Sequence, residues 1–174
     1  KIMLGCDPEF FFKKDGKVLG SEKILPPEGL YSGFYSGSRS RVVIDGVQAE
    51  LNPVASTCRQ VLAAQISGCF RAVEKVLAGG EIGVSFAQAE VVAQGEMDSL
   101  TDKSKTFGCK PTKCFIGGKV KPSHVRVDPL KYLTRSAGGH IHLGIPETRN
   151  PDVSRALKHP ELLVPILDLI VGNT

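Results

Sequence analysis

Three short stretches of this chain concentrate the groups that can hold a cation or a phosphate. Asp7-Pro8-Glu9 carries two carboxylates, and Gln48-Ala49-Glu50-Leu51-Asn52 sets a carboxylate between two amides. Arg135-Ser136-Ala137-Gly138-Gly139-His140-Ile141-His142-Leu143-Gly144 joins an arginine, a glycine pair and a His-x-His. In an extended chain alternate side chains share a face. Asp7 and Glu9 then point together, as do Gln48, Glu50 and Asn52. His140 and His142 also share a face, with Ile141 and Leu143 expected to turn to the core. Gly138 and Gly139 remove bulk, so that a ligand or another backbone can come close. Hard cations such as Mg²⁺ take oxygen ligands and often arrive with substrate phosphates. A sheet offering glutamates and an imidazole is a suitable floor for ATP-bound Mg²⁺ or Mn²⁺. Arg135, five residues before His140, could grip a phosphate with its two-pronged guanidinium.

Each piece also has a plainer reading. Asp7 before a proline can be a turn or capping residue. Glu50 can be an exposed strand residue, the two histidines a hydrogen-bonded surface pair, and Arg135 a solvated charge. Glu9, between Pro8 and three phenylalanines, is harder to dismiss, because an unpaired carboxylate is costly inside a protein. His124 and His159 read as ordinary surface residues.

The elements that must position these groups follow from periodicity. Ile2 to Phe12 reads as a strand that Pro8 must bulge or place at an edge. Asp15-Gly16 is a hairpin signal and Lys17 to Gly20 the returning strand. Ser21 to Arg41, rich in proline and glycine, is expected to be a surface loop whose aromatic residues could cover the site. Arg41 to Pro53 is a strand or strand pair, with Asp45-Gly46 as its turn or bulge. Ser56 is the expected N-cap of a helix over Thr57 to Ala78. Its apolar positions Val61, Leu62, Ile66, Cys69, Phe70, Val73 and Leu77 recur at helical spacing, and Gly79-Gly80 stops it. Ile82 to Ala93 is expected as one strand. Gln94 to Val120 is turn-rich, with a hairpin at Gly117-Gly118, and His124 to Asp128 is a short strand. Pro146 to Pro151 is a loop, followed by helices over Asp152 to His159 and Glu161 to Val171. The order argues an α+β fold, a mainly antiparallel sheet with helices packed on one face, in a single domain over residues 1–174.

Composition narrows the classes. Of 174 residues, 41% are hydrophobic and 23% charged, enough for one globular core. The net charge of +4 suits a protein that handles acidic or phosphorylated ligands and is too weak to argue for nucleic acid. Aromatic residues make up 6% with no tryptophan, which disfavours base-stacking platforms. Five cysteines without a Cys-x-x-Cys argue against a disulfide framework and for the cytoplasm. Zinc on Cys109, Cys114 and a histidine has the wrong spacing for the common structural sites. No apolar run is long enough to span a bilayer and no signal peptide is evident, so no membrane is expected. Lys1 is not a translation start, so at least one residue is expected to precede it. There is no Walker A loop, dinucleotide-binding glycine motif or nucleophile elbow.

Four motifs in order carry a resemblance. Gly5-Cys6-Asp7-Pro8-Glu9-Phe10-Phe11, Asp45-Gly46-Val47-Gln48-Ala49-Glu50-Leu51-Asn52-Pro53, Phe107-Gly108-Cys109-x-Pro111 and the Arg135 to Gly144 stretch resemble the phage-type carboxylate–amine ligases. That family is grouped with the amidoligases related to glutamine synthetase and glutamate–cysteine ligase. The resemblance implies a glutamine-synthetase-like antiparallel catalytic core and ATP-dependent joining of a carboxylate to an amine through an acyl phosphate. It implies Mg²⁺ or Mn²⁺ on Glu9, Glu50 and His140 or His142, with Asp7 beside them. Arg135 would hold the phosphates, with Gly138, Gly139, Gln48 and Asn52 also at the nucleotide and Glu50 and Arg135 at the chemistry. The substrates would be small-molecule or peptide carboxylates and amines, in the cytoplasm of a phage-infected bacterium, with an oligomer possible. Lys110, Thr112 and Lys113 stand where the family would place acidic residues. Its pattern continues past Thr174, so the chain is expected to be the larger N-terminal part of the catalytic domain. A catalytically silent structural relative and a metal-dependent hydrolase are the alternatives.

Overall fold

Phe10, Phe11 and Phe12 are consecutive, and all are fully buried. Since neighbours on a strand face opposite ways, the sheet at this point is covered on both sides, and the two coverings organise the fold. The computed structural model describes residues 2–33, 39–107, 113–116, 119–122, 128–144, 150–152, 155 and 159. The chain forms two compact units. One comprises Ile2–Gly108 with Asp128–Gly144, and the other takes in Cys109–Val127 and Ile145–Thr174.

The first unit runs β1 (Met3–Cys6), β2 (Glu9–Lys14), β3 (Lys17–Leu19), a 3₁₀ turn (Ser21–Lys23), β4 (Leu30–Tyr31), β5 (Arg41–Asp45) and β6 (Gln48–Asn52). Then come α1 (Arg59–Leu77), β7 (Ile82–Ser85), β8 (Ala89–Val91), α2 (Gln94–Ser99) and α3 (Asp102–Lys105). In the second unit β9 (Lys113–Ile116) pairs antiparallel with β10 (Lys119–Pro122), the strands on either side of Gly117-Gly118. A 3₁₀ turn (Pro129–Lys131), β11 (Thr134–Ser136) and β12 (Ile141–Gly144) return to the first unit. Every strand pairing described is antiparallel, and the fold is α+β. The main sheet has the order β3-β2-β6-β5-β4, with β7 also on β2; β1 pairs with β12, and β8 with β11.

The expected first strand is two strands divided at Asp7-Pro8. Pro8 has no N–H to donate, but its carbonyl accepts from Leu51 N at 2.9 Å. The chain thus changes partner there, from β12 on β1 to β6 on β2. Asp15 and Gly16 take positive φ of 49° and 75°, as a two-residue hairpin turn requires, and β3 returns as expected.

Helix α1 lays Cys69 and Val73 on Phe10, Phe12, Val42, Ala49 and Leu51, with Ile66, Phe70 and Leu77 at the margin. It starts two residues later than expected, because Ser56 is engaged elsewhere. Ser56 exchanges backbone hydrogen bonds with Leu4 at 2.9 and 2.8 Å, and its hydroxyl accepts from Cys58 N at 3.1 Å. On the opposite face Phe11, Val18 and Val47 gather with Val92, Met97 of α2 and Leu100.

Other expectations are corrected. Ser21 to Arg41 is not all loop: it holds the 3₁₀ turn and β4, and buries Leu25 in the core. Ile82 to Ala93 is two strands with different partners, β7 on β2 and β8 on β11. Gln94 to Lys105 forms two short helices. Ile141 and Leu143 are 73% and 47% exposed, not core. Phe34, Tyr35, Gly117, Gly118, Cys109, His124 and the expected helix over Glu161 to Val171 lie outside the described residues, as does most of Pro146 to His159. Of that last stretch Pro151, Asp152 and Arg155 are helical. Cys6, Cys58 and Cys69 are free thiols, and burial pushes Cys69 up to about 11. Among the described residues no helix is long and apolar enough to cross a membrane.

Candidate functional site

Ladder register builds the site. Glu9 on β2 lies directly opposite Glu50 on β6. Glu50 lies opposite Val43 on β5, and Asp45 opposite Gln48. Asp45 is two residues from Val43, so its side chain leaves the same face as Glu50 and Glu9. The three carboxylates, all partly buried, each offer an oxygen within 4.8 Å of the others.

Like charges this close resist ionisation together. Burial, then the charges of Asp45, Asp7 and Glu9, push Glu50 up to about 7; a positive charge on His140 acts in the opposite sense. Asp45 is also raised, by burial first and then by the charge of Glu9 and a hydrogen bond with it. Glu9 has an anchor: its Oε2 accepts from Gly138 N at 2.9 Å.

Asp7 stands in a different environment. Its carboxylate meets His142 Nε2 at 2.9 Å and His140 Nδ1 at 3.1 and 3.2 Å, and accepts from the backbone N–H of His140. Burial pushes this carboxyl up, but those hydrogen bonds and the two imidazole charges outweigh it and hold Asp7 below its ordinary value. A carboxylate that accepts from one ring nitrogen orients the imidazole and leaves the other nitrogen as a lone-pair donor. The two rings lie 6.1 Å apart. Asp7, Glu50, Asn52 and His142 line one cleft of about 440 Å³.

The structure therefore brings together Asp7, Glu9, Glu50, His140 and His142. It adds Asp45, which the sequence pattern marks only as part of a turn or bulge. The missed signal was the hairpin itself: a two-residue turn at Gly46-Val47 puts Asp45 opposite Gln48, on the polar row. An oxygen-only trio suits a hard divalent cation, and a cation there would relieve the repulsion that raises Glu50 and Asp45. The residues fit such an ion.

Four expected nucleotide residues are placed otherwise or differently. Arg135 is 1% exposed. Its guanidinium donates to the carbonyls of Thr134 (3.1 Å), Lys105 (3.0 Å), Pro129 (2.9 Å) and Tyr132, and lies 5.0 Å from the centre of the Phe107 ring. Both terminal nitrogens are spent on tying loops together and its Nε–H is buried without a partner, so it is not presented to the carboxylates as a phosphate grip. Gln48 is 7% exposed and its amide donates to Ser136 O at 2.8 Å, fastening β6 to the stretch before the histidines. A Cβ on Gly139 would stand 3.0 Å from Pro8 Cα, so this glycine admits the Asp7-Pro8 backbone and not a ligand. Gly138 is open on that side and serves through its N–H to Glu9. Asn52 remains exposed at the cleft.

No family model, curated protein or solved structure matches this chain. Fold and site define an α+β protein whose antiparallel sheet presents a cleft of carboxylates and carboxylate-held imidazoles.

Proposed function

We propose that this chain carries the metal- and nucleotide-binding cleft of an ATP-dependent carboxylate–amine ligase with a glutamine-synthetase-like core. The observation that supports it is the convergence of Glu9, Asp45 and Glu50 from three adjacent strands onto one face. The motif resemblance adds the reaction class. Glu9, Asp45 and Glu50 would hold Mg²⁺ or Mn²⁺, with His140 or His142 completing the set and Asp7 fixing the rings. The ion would supply charge neutralisation on the nucleotide phosphates. In the reaction proposed, a substrate carboxylate oxygen bonds to the terminal phosphorus of ATP and ADP leaves. An amine nitrogen then bonds to the acyl carbon, phosphate leaves, and the nitrogen gives up a proton. Gly138 N–H steadies Glu9, and the buried amide of Gln48 keeps β6 in register beside the histidine stretch, so the carboxylates stay in place without reorganising.

Calorimetric titration with Mn²⁺ and with Mn·ATP tests this reading. Both are expected to bind, and Glu50→Gln to weaken both by roughly a hundredfold, about 3 kcal/mol. Mn²⁺ binding that needs Glu50, with no ATP binding, would replace the ligase by a metal-dependent hydrolase. Absence of both would leave a silent scaffold.

A further inference from the structure

With Arg135 engaged by carbonyls, the cleft needs another cation if it is to hold phosphate, and the ladder supplies one. On β5, Arg41 alternates with Val43 and Asp45, so all three leave the same face. Arg41 lies directly opposite Asn52, while Val43 lies opposite Glu50. The guanidinium therefore starts one step along the polar row from the carboxylates, roughly 7 Å away in the strand direction. A second hollow of about 370 Å³ opens there, lined by Tyr31, Arg39, Arg41, Asn52 and Val54. Asn52 and Val54 also line the acidic cleft, so the two hollows share a wall.

Charge divides along this row. At one end stand Asp7 and Glu50; at the other stand Arg39 and Arg41, which among the described residues have no carboxylate within ion-pair distance. An exposed arginine ordinarily needs no partner. Two of them in one hollow, continuous with an over-acidic cleft, make a site with a cation-seeking end and an anion-seeking end. A metal-bound polyphosphate has that polarity: the metal is drawn to the carboxylates and the free phosphate oxygens to a planar two-pronged donor.

We propose that Arg41, assisted by Arg39, is the phosphate-binding cation of this cleft. The proposal rests on the ligase reading and assigns to β5 the role that the motif pattern suggests for Arg135. Arg41 is only partly buried, and its side chain is absent from both core clusters, so its replacement should leave the fold intact.

The test compares Mn²⁺, Mn·ATP and Mn·pyrophosphate on wild type, Arg41→Gln, Arg41→Lys and the Arg39→Gln/Arg41→Gln double variant, each checked for an unchanged melting temperature. Arg41→Gln is expected to weaken Mn·ATP and Mn·pyrophosphate by roughly tenfold or more. The double variant should lose more, and Arg41→Lys should fall between wild type and Arg41→Gln. Mn²⁺ alone should bind all four within about twofold. Mn·ATP bound equally by wild type and the double variant would overturn the assignment while leaving the ligase reading intact. A wild type that binds Mn²⁺ but neither polyphosphate would overturn both. Loss of Mn·ATP with Mn·pyrophosphate retained would also overturn it, by placing Arg41 at another part of the nucleotide.

Discussion

Strand β6 has two faces that solve opposite problems. Ala49 and Leu51 look toward α1 and are fully buried, among apolar neighbours that demand nothing of them. Gln48, Glu50 and Asn52 look the other way, and only Gln48 is buried, with its amide hydrogen-bonded. Glu50 is partly buried beside two other carboxylates, which pushes it up to about 7 from its ordinary 4.5. A displacement of that size corresponds to an order of 2–3 kcal/mol against the ionised form at neutral pH. Removing apolar surface from water at about 25 cal/mol per Å² easily offsets it. The difference teaches that on β6 the apolar row builds core while the polar row can carry repulsion that serves no structural end. Such strain is what binding sites retain.

The comparison can be broken in three ways. The largest effect should come from the apolar face. Leu51→Ala is expected to cost about 3 kcal/mol, read as a fall in denaturation midpoint, with Mn²⁺ affinity within about twofold of wild type. A large loss of metal binding in a variant that remains folded would mean the faces are not separable.

Glu50→Gln should act in the other direction. Because the folded carboxyl titrates higher than the unfolded one, its contribution is fully present below about 4.5. It is lost as pH rises toward about 7. Asp45 shifts the same way, whereas Asp7, held below 3.8, matters only in stronger acid. Metal-free wild type should therefore lose stability between about pH 5 and 7.5. Glu50→Gln should flatten that decline and be more stable at pH 7.5 by about 2 kcal/mol. An unchanged decline in the variant would remove Glu50 as its source.

The smallest effect separates the two glycines. Gly139→Ala should cost about 1–2 kcal/mol, because its new methyl meets the Pro8 backbone. Gly138→Ala, which meets nothing, should stay within about 0.5 kcal/mol. Thermal melts of the two variants side by side decide this, and equal losses would mean that both positions admit backbone or that neither does.

What could be read in the sequence was parity, and what could not was partnership. Alternation along Gln48 to Asn52 correctly tells which side chains share a face, whereas His140 and His142 meet on Asp7 although His140 lies outside β12. It does not tell which face is covered, and so Ile141 and Leu143 were expected in a core and lie exposed. Parity also lapses wherever the strand does. Ala137 to His140 are not strand, so the spacing from Arg135 to His140 carries no information about facing. The carbonyls that claim Arg135 come from Lys105, Pro129, Tyr132 and Thr134. Backbone acceptors of this kind leave no mark in residue types. Asp45 was visible as a residue but hidden as a member of the acidic trio, because a turn there ends the strand before its pairing with Gln48 can be seen.

The division at Pro8 bears on the order in which this site comes into being. Glu9, Asp45 and Glu50 belong to strands made early, whereas Asp7 waits for a histidine 133 residues further along the chain. At roughly 5–20 residues per second, a ribosome needs several seconds or more to cover that span. Until β12 emerges, β1 lacks its ladder partner and is held by the bridge to Ser56 and by packing against α1. The nascent protein thus carries an acidic pocket with one wall missing until the imidazoles arrive.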